Sequence, residues 1–178
     1  SSIIHMKFPR KDGKGNIQFT WLDGGLLPQR PQELLPDEML GDVDGGYLFE
    51  GTMGKLMGNY DMAPVLIPSA RMKEDILPAS TIPRVQGAEA GHYTQWVEAC
   101  KKGYGQMEVS SPFEYAGPMT EAILMGNLAL RSYALRSPDG NSFPGRKKLL
   151  WDARNMKITN FGDANQYVKR EYRKGWEL

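Results

Sequence analysis

The stretch Glu114 to Arg136, EYAGPMTEAILMGNLALRSYALR, constrains the chain more than any other. Gly117 and Pro118 mark it as a helix start, because a proline at the first helical position has no intrahelical bond to lose and its φ is already set. Thr120 and Glu121 then fall in the expected first turn, near the positive end of the helix dipole. Beyond them Met119, Ala122, Ile123, Gly126, Ala129, Leu130, Tyr133 and Ala134 recur at helical spacing, while Leu124, Met125, Leu128 and Leu135 make further faces apolar. A helix apolar almost all round is expected to be buried. The sequence therefore predicts a core spine of about 18 residues, roughly 27 Å long.

One other helix is predicted. In Gly91 to Lys102 (GHYTQWVEACKK), Tyr93, Trp96, Val97 and Cys100 stand at i, i+3, i+4 and i+7, with Gly103 as the stop. Their spacing predicts an apolar face turned to the core, with Cys100 as an inert buried thiol.

The remainder reads as strands and turns. Residues 3–8 alternate, Pro9 ends the run, Lys11 to Asn16 is turn chemistry, and residues 17–22 alternate again, which predicts an antiparallel hairpin. Tyr47–Glu50 and Lys55–Gly58 flank the turn Gly51-Thr52-Met53-Gly54 as a second hairpin, and Val65–Ile67 is a third strand candidate. Residues 70–76 read as one or two helical turns, and residues 79–85 as extended. Lys148–Trp151 and Met156–Thr159 read as short strands, and the tail from Asp163 as one short helix. Between the hairpins, residues 23–46 carry three prolines and five glycines, yet Leu26, Leu27, Leu34, Leu35, Met39 and Leu40 are too apolar for a disordered loop. That loop is expected to lie ordered against the sheet, a second subunit or a further domain. The fold class that results is α+β: an open, largely antiparallel β-sheet with helices packed on one face, forming one domain over residues 1–178.

Composition narrows the function by exclusion. Twenty-two Lys and Arg against 21 Asp and Glu give no field for nucleic acid or an anionic membrane. The single cysteine rules out an intrachain disulfide and a multi-cysteine metal site. Two distant histidines fit no ligand spacing, so no metal site is expected. No apolar run approaches the length of a membrane span. No glycine cluster precedes a helix in the way a dinucleotide turn requires. The chain opens without a methionine and goes straight into a strand, so it is expected to be part of a longer polypeptide; compartment, cytoplasmic or periplasmic, is left open.

Four residues stand out as candidate binding groups. Trp21 with Arg30 offers an aromatic face beside a guanidinium fork, suited either to a sugar or to closing the core. Asp23, followed by Gly24 and Gly25 at a strand end, stands where ligands approach backbone closely. His92 opens a helix beside Tyr93 and Trp96, facing a ligand or packing as a cap. The loop acids Asp37, Glu38, Asp42 and Asp44 lack the spacing of a calcium loop and read as solvated. No catalytic constellation emerges from the residues themselves.

Several blocks together carry a family resemblance: TWLDGGLLPQRPQELLPDEMLGDVDGGYLFEGTMGKLM, ILPASTIPRVQGAEAGHYTQWVEACKKG, FEYAGPMTEAILMGNLALRS and KKLLWDARNMKITNFGDANQYVKREYRKGWEL. They resemble the C-terminal domain of Gfo/Idh/MocA-type oxidoreductases, relatives of glucose–fructose oxidoreductase and inositol dehydrogenase. The resemblance implies a two-domain parent, in which an N-terminal Rossmann domain binds NAD or NADP and this domain supports a sugar or polyol substrate and subunit contacts. Trp21, Asp23, Gly24, Gly25, Arg30 and Pro31 match the family's W-x-D-G-G…R-P block, and Gly91, His92 and Trp96 its G-H-x-x-x-W helix start. The family's glycine-rich cofactor turn, Glu-Lys-Pro lysine and catalytic helix map nowhere on this chain, so no catalytic or cofactor-binding residue is assigned. What the resemblance implies is a substrate-binding and oligomerisation domain, assembled through its sheet face and inactive alone. The alternatives are a non-catalytic carbohydrate-binding or assembly module, or part of an NAD-dependent glycoside-cleaving enzyme.

Overall fold

The computed structural model describes residues 1–60, 63–73, 78–87 and 90–176. It has the predicted α+β class, with seven short strands and two α-helices among the described residues. The strands divide among three small sheets, ordered β1-β2, β3-β4-β5 and β6-β7, and do not form one continuous sheet. The chain separates into two compact units: residues 1–3 with 22–84, and residues 4–21 with 85–178.

In the first unit, β3 (Tyr47–Gly51) and β4 (Gly54–Gly58) form the expected hairpin, with Tyr47 opposite Gly58 and Gly51 opposite Gly54. β5 (Val65–Ile67) adds to it antiparallel, with Lys55 opposite Ile67. Leu34 from the long loop is buried with Met57 and Ile67, and Leu40 and Leu48 pack against them. Leu34 and Leu40 thus anchor the middle of that loop on the sheet, whereas Leu26, Leu27, Leu35 and Met39 are exposed. Ser69–Lys73 form a short 3-10 helix. The rest of the helical turn expected over 70–76 lies outside the described residues.

In the second unit, β1 (Ile3–Pro9) and β2 (Asn16–Leu22) are joined by a tight turn in which Arg10 N–H donates to Gly15 O (3.0 Å) and Gly13 N–H to Arg10 O (3.0 Å). Asp12 accepts from the Arg10 guanidinium at 2.6 and 3.0 Å and from Lys14 N–H at 2.9 Å. α1 (Gly91–Lys102) has the predicted bounds, and Gly103 at φ +96° donates its N–H to Ala99 O to end it.

α2 spans Phe113–Tyr133, so it begins a full turn before the predicted start. Pro118 lies inside it, and Pro112 is the N-cap, its carbonyl accepting from Ala116 N–H at 2.8 Å. Two features make an interior proline tolerable. The bond it removes, to the Glu114 carbonyl, belongs to the solvent-exposed opening of the helix, and Gly117 before it has no Cβ to clash with the proline ring.

The helix is also less buried than its composition predicts. Gly126 and Ser132 are its only buried residues, whereas Met119, Ile123, Leu124, Leu130 and Tyr133 are exposed. Its inner side meets Ile4 at Gly126, where a Cβ would come within 3.1 Å of the isoleucine methyl. The C-terminal half supplies Leu128, and Leu135 follows just beyond, to a core of Ile158, Phe161 and Ala164 closed by Leu149 and Trp151. β6 (Trp151–Asp152) and β7 (Lys157–Ile158) pair antiparallel and are shorter than predicted, and a 3-10 helix at Gly162–Tyr167 completes this core. Asn165 bridges the layers, accepting from Ile158 N–H (2.7 Å) and donating to Ile158 O (2.9 Å).

Among the described residues the predicted apolar face of α1 is not covered in this way. Tyr93 is 78% exposed and Trp96 66%, and Cys100 is exposed, contrary to the buried thiol expected. No helix among the described residues is long and apolar enough to cross a membrane.

Candidate functional site

Asp23 follows β2 directly and is fastened to the start of β1. Its carboxylate accepts from the Ser2 amide and the Ser2 hydroxyl, both at 2.7 Å, and its own N–H donates to Ser2 O at 3.1 Å. Gly24 (φ +66°) and Gly25 (φ +85°) turn the chain through a conformation that a side chain would strain. A Cβ on Gly24 would stand 2.5 Å from Ser1 Cα, so the close approach these glycines permit is filled by the chain's own first residues.

Arg30 donates to the Leu35 carbonyl, and the Leu35 N–H in turn donates to Glu38 at 2.9 Å. The Ser69 hydroxyl, the Leu35 amide and the Arg30 charge together hold the Glu38 carboxyl below its ordinary range. The segment from 30 to 38 is thereby closed on itself, which presents Leu34 to the core. The neighbouring acid Asp42 likewise serves its own turn, accepting from Asp44 N–H at 2.8 Å and from the Asn59 amide.

His92 is exposed at the start of α1, its Nδ1 3.1 Å from the Ser110 hydroxyl. Gln95 Oε1 accepts both Ser110 N–H and Ser110 O–H at 2.8 Å. With its proton given to Gln95, Ser110 Oγ accepts from His92 Nδ1–H, the reverse of the polarity a serine nucleophile needs. The trio ties α1 to the loop that leads into α2. Trp21, near the end of β2, is 43% exposed.

The four sequence-predicted residues are therefore distributed: Asp23 and Arg30 lie in the first unit, Trp21 and His92 in the second. No hydrogen bond or ring contact links Trp21 to His92. Among the described residues no group of three or more His, Cys, Asp or Glu is placed to hold a metal.

A cluster not singled out from sequence stands beyond the end of α2. The Arg146 guanidinium lies 3.7 Å from the Phe143 ring centre and 4.5 Å from that of Tyr133, and Arg136 lies 4.9 Å from Phe143. Arg131 stacks on Tyr167 at 4.5 Å and Lys147 on Phe161 at 4.9 Å. Residues 127–150 hold five cations and one carboxylate, Asp139. That local imbalance was the available signal, hidden by a net charge of +1 for the whole chain.

The sequence matches no protein-family model, and the search of curated proteins gave no match.

Proposed function

We propose that this chain is the substrate-binding and assembly domain of an NAD(P)-dependent oxidoreductase acting on a hydroxyl of a sugar, polyol or glycoside, with the cofactor carried by a Rossmann domain elsewhere in the parent polypeptide. The reading takes its chemistry from the sequence resemblance. Its physical support is one observation: the chain exposes 15127 Å². Two globular units of these sizes would expose roughly 10,400 Å² even if wholly separate. The surplus, roughly 4,700 Å², is about twice what one partner gives to a large obligate interface, whose total of about 2,000–5,000 Å² is shared between two partners, so it leaves room for both a neighbouring domain and a second subunit. The exposed apolar sides of α1 and α2 belong to that surplus. In the parent, the cofactor would supply the hydride chemistry and these residues its walls.

A second observation favours the assembly role over a sugar site in the chain itself. Asp23, Arg30 and His92 all spend polar atoms on internal bonds that set loop and helix ends.

The test is the reading frame upstream of Ser1 and the protein it encodes. The proposal expects a G-x-G-x-x-G strand–helix turn and a Glu-Lys-Pro motif there, and sugar- or polyol-dependent reduction of NAD+ or NADP+ by the full-length protein. An upstream frame with no dinucleotide fold contradicts it. Arg30→Ala and His92→Ala in the active parent then separate the roles: a raised KM places either side chain at substrate, whereas unchanged kcat/KM with lower stability makes it structural.

A further inference from the structure

We infer that Arg136 and Arg146, stacked on Phe143, form a binding site for the phosphate group of a phosphorylated ligand. The inference does not rest on the oxidoreductase reading. Stacking occupies the flat face of a guanidinium and leaves its N–H edge for a ligand. Arg136 spends one N–H on the Gly140 carbonyl at 3.2 Å, and among the described residues neither arginine is paired with a carboxylate. The one acid in the segment is committed elsewhere: Asp139 accepts from the Ser137 hydroxyl and from the backbone and side-chain N–H groups of Asn141 at 3.2 and 3.3 Å.

Both arginines are held in place before any ligand arrives. Ser137 N–H donates to Ser142 O at 2.9 Å and Ser142 N–H to Ser137 Oγ at 3.0 Å, closing the loop that follows Arg136. Gly145, next to Arg146, lies so close to the end of α2 that a Cβ there would be 1.9 Å from Ser132 O. Such preorganisation lowers the ordering cost of binding. The negative end of α2 accounts for a cation or two nearby. It does not account for two guanidinium groups on one ring, neither of them paired with a carboxylate among the described residues. A tetrahedral phosphate can engage two forks at once, which a lone carboxylate does less completely. Arg136, Arg146 and Lys147 are all exposed, so the site is open to solvent.

The experiment is a 31P NMR titration of the chain with inorganic phosphate, with ionic strength held constant by sodium chloride. The expected result is saturable binding that weakens about tenfold in Arg136→Gln and in Arg146→Gln, the scale of one charge-assisted hydrogen bond. Arg146→Lys, which keeps the charge and loses the fork, is expected to weaken binding, and Lys148→Gln to change it less than about twofold. Circular dichroism checks each fold. If Arg146→Gln does not fold, Arg136→Gln, which leaves Arg146 on Phe143, decides alone. Glycerol 3-phosphate is expected to compete for the same site. Non-saturable binding, equal binding by Arg136→Gln, or failure of the ester to compete overturns the assignment.

Discussion

α1 and the C-terminal half of α2 carry the same kind of apolar periodicity and come to different ends. Leu128 of α2 packs against the buried cluster of Ile158, Phe161 and Ala164, which follows it in sequence. Tyr93, Trp96 and Val97 of α1 remain exposed. Periodicity states that a face is suited to burial; it does not state whether the covering surface lies in the same chain. The covered helix owes its burial to a return of the chain that closes over about 30 residues, from Leu128 to Ile158. Among the described residues, polar bonds through His92, Gln95 and Ser110 tie α1 to the loop before α2.

The contrast can be broken most severely at Phe161. Phe161→Ala removes the centre of the second unit's core and is expected to cost about 3–5 kcal/mol, measured as a fall in urea midpoint. Gly145→Ala comes next, at about 1–3 kcal/mol or more, because the new methyl meets a backbone carbonyl that cannot step aside. Trp151→Phe deletes the 2.6 Å bond from the indole N–H to Glu121 in α2 while keeping most of the ring. It is expected to cost about 1–2 kcal/mol. Trp96→Ala on α1 sharpens the comparison from the other side, with an expected change in the isolated chain of no more than about 0.5 kcal/mol.

The smallest effect is one of pH. Hydrogen bonding to Lys55 at 2.8 Å holds the Glu33 carboxyl below its ordinary 4.5, and the same contact raises Lys55. Glu33 therefore contributes stability above its unfolded pKa and loses it as pH falls through the lowered folded value. Lys55 contributes below 10.5 and loses it as pH rises through the raised one. Wild type and Glu33→Gln, followed by circular dichroism in urea, should differ at neutral pH and converge on acidification. Both groups are exposed enough that the difference is small.

Local signals in the sequence located most elements. Gly103 ended α1 where a left-handed glycine stop predicts, and β3, β4 and β5 formed within a residue of their predicted bounds. The start of α2 was misplaced because Pro118 is a strong first-position signal, and nothing in the sequence tells a first-turn proline from a second-turn one eased by a preceding glycine. Burial was misjudged because hydropathy is a property of the segment, whereas cover is a property of its surroundings. The internal roles of Asp23, Arg30 and His92 depended on partners 21, 5 and 18 residues away, which spacing could not reveal. The arginine pair on Phe143 depended on a loop that folds back on the helix end, and only its excess charge was readable beforehand.

The account stands on a difference in cover between two helices, and native-state hydrogen exchange measures that directly. Amides of residues 126–133 in α2 are expected to exchange only through global unfolding, while those of α1 exchange at least about a hundredfold faster through local opening. Equal protection of the two helices in the isolated chain would contradict it.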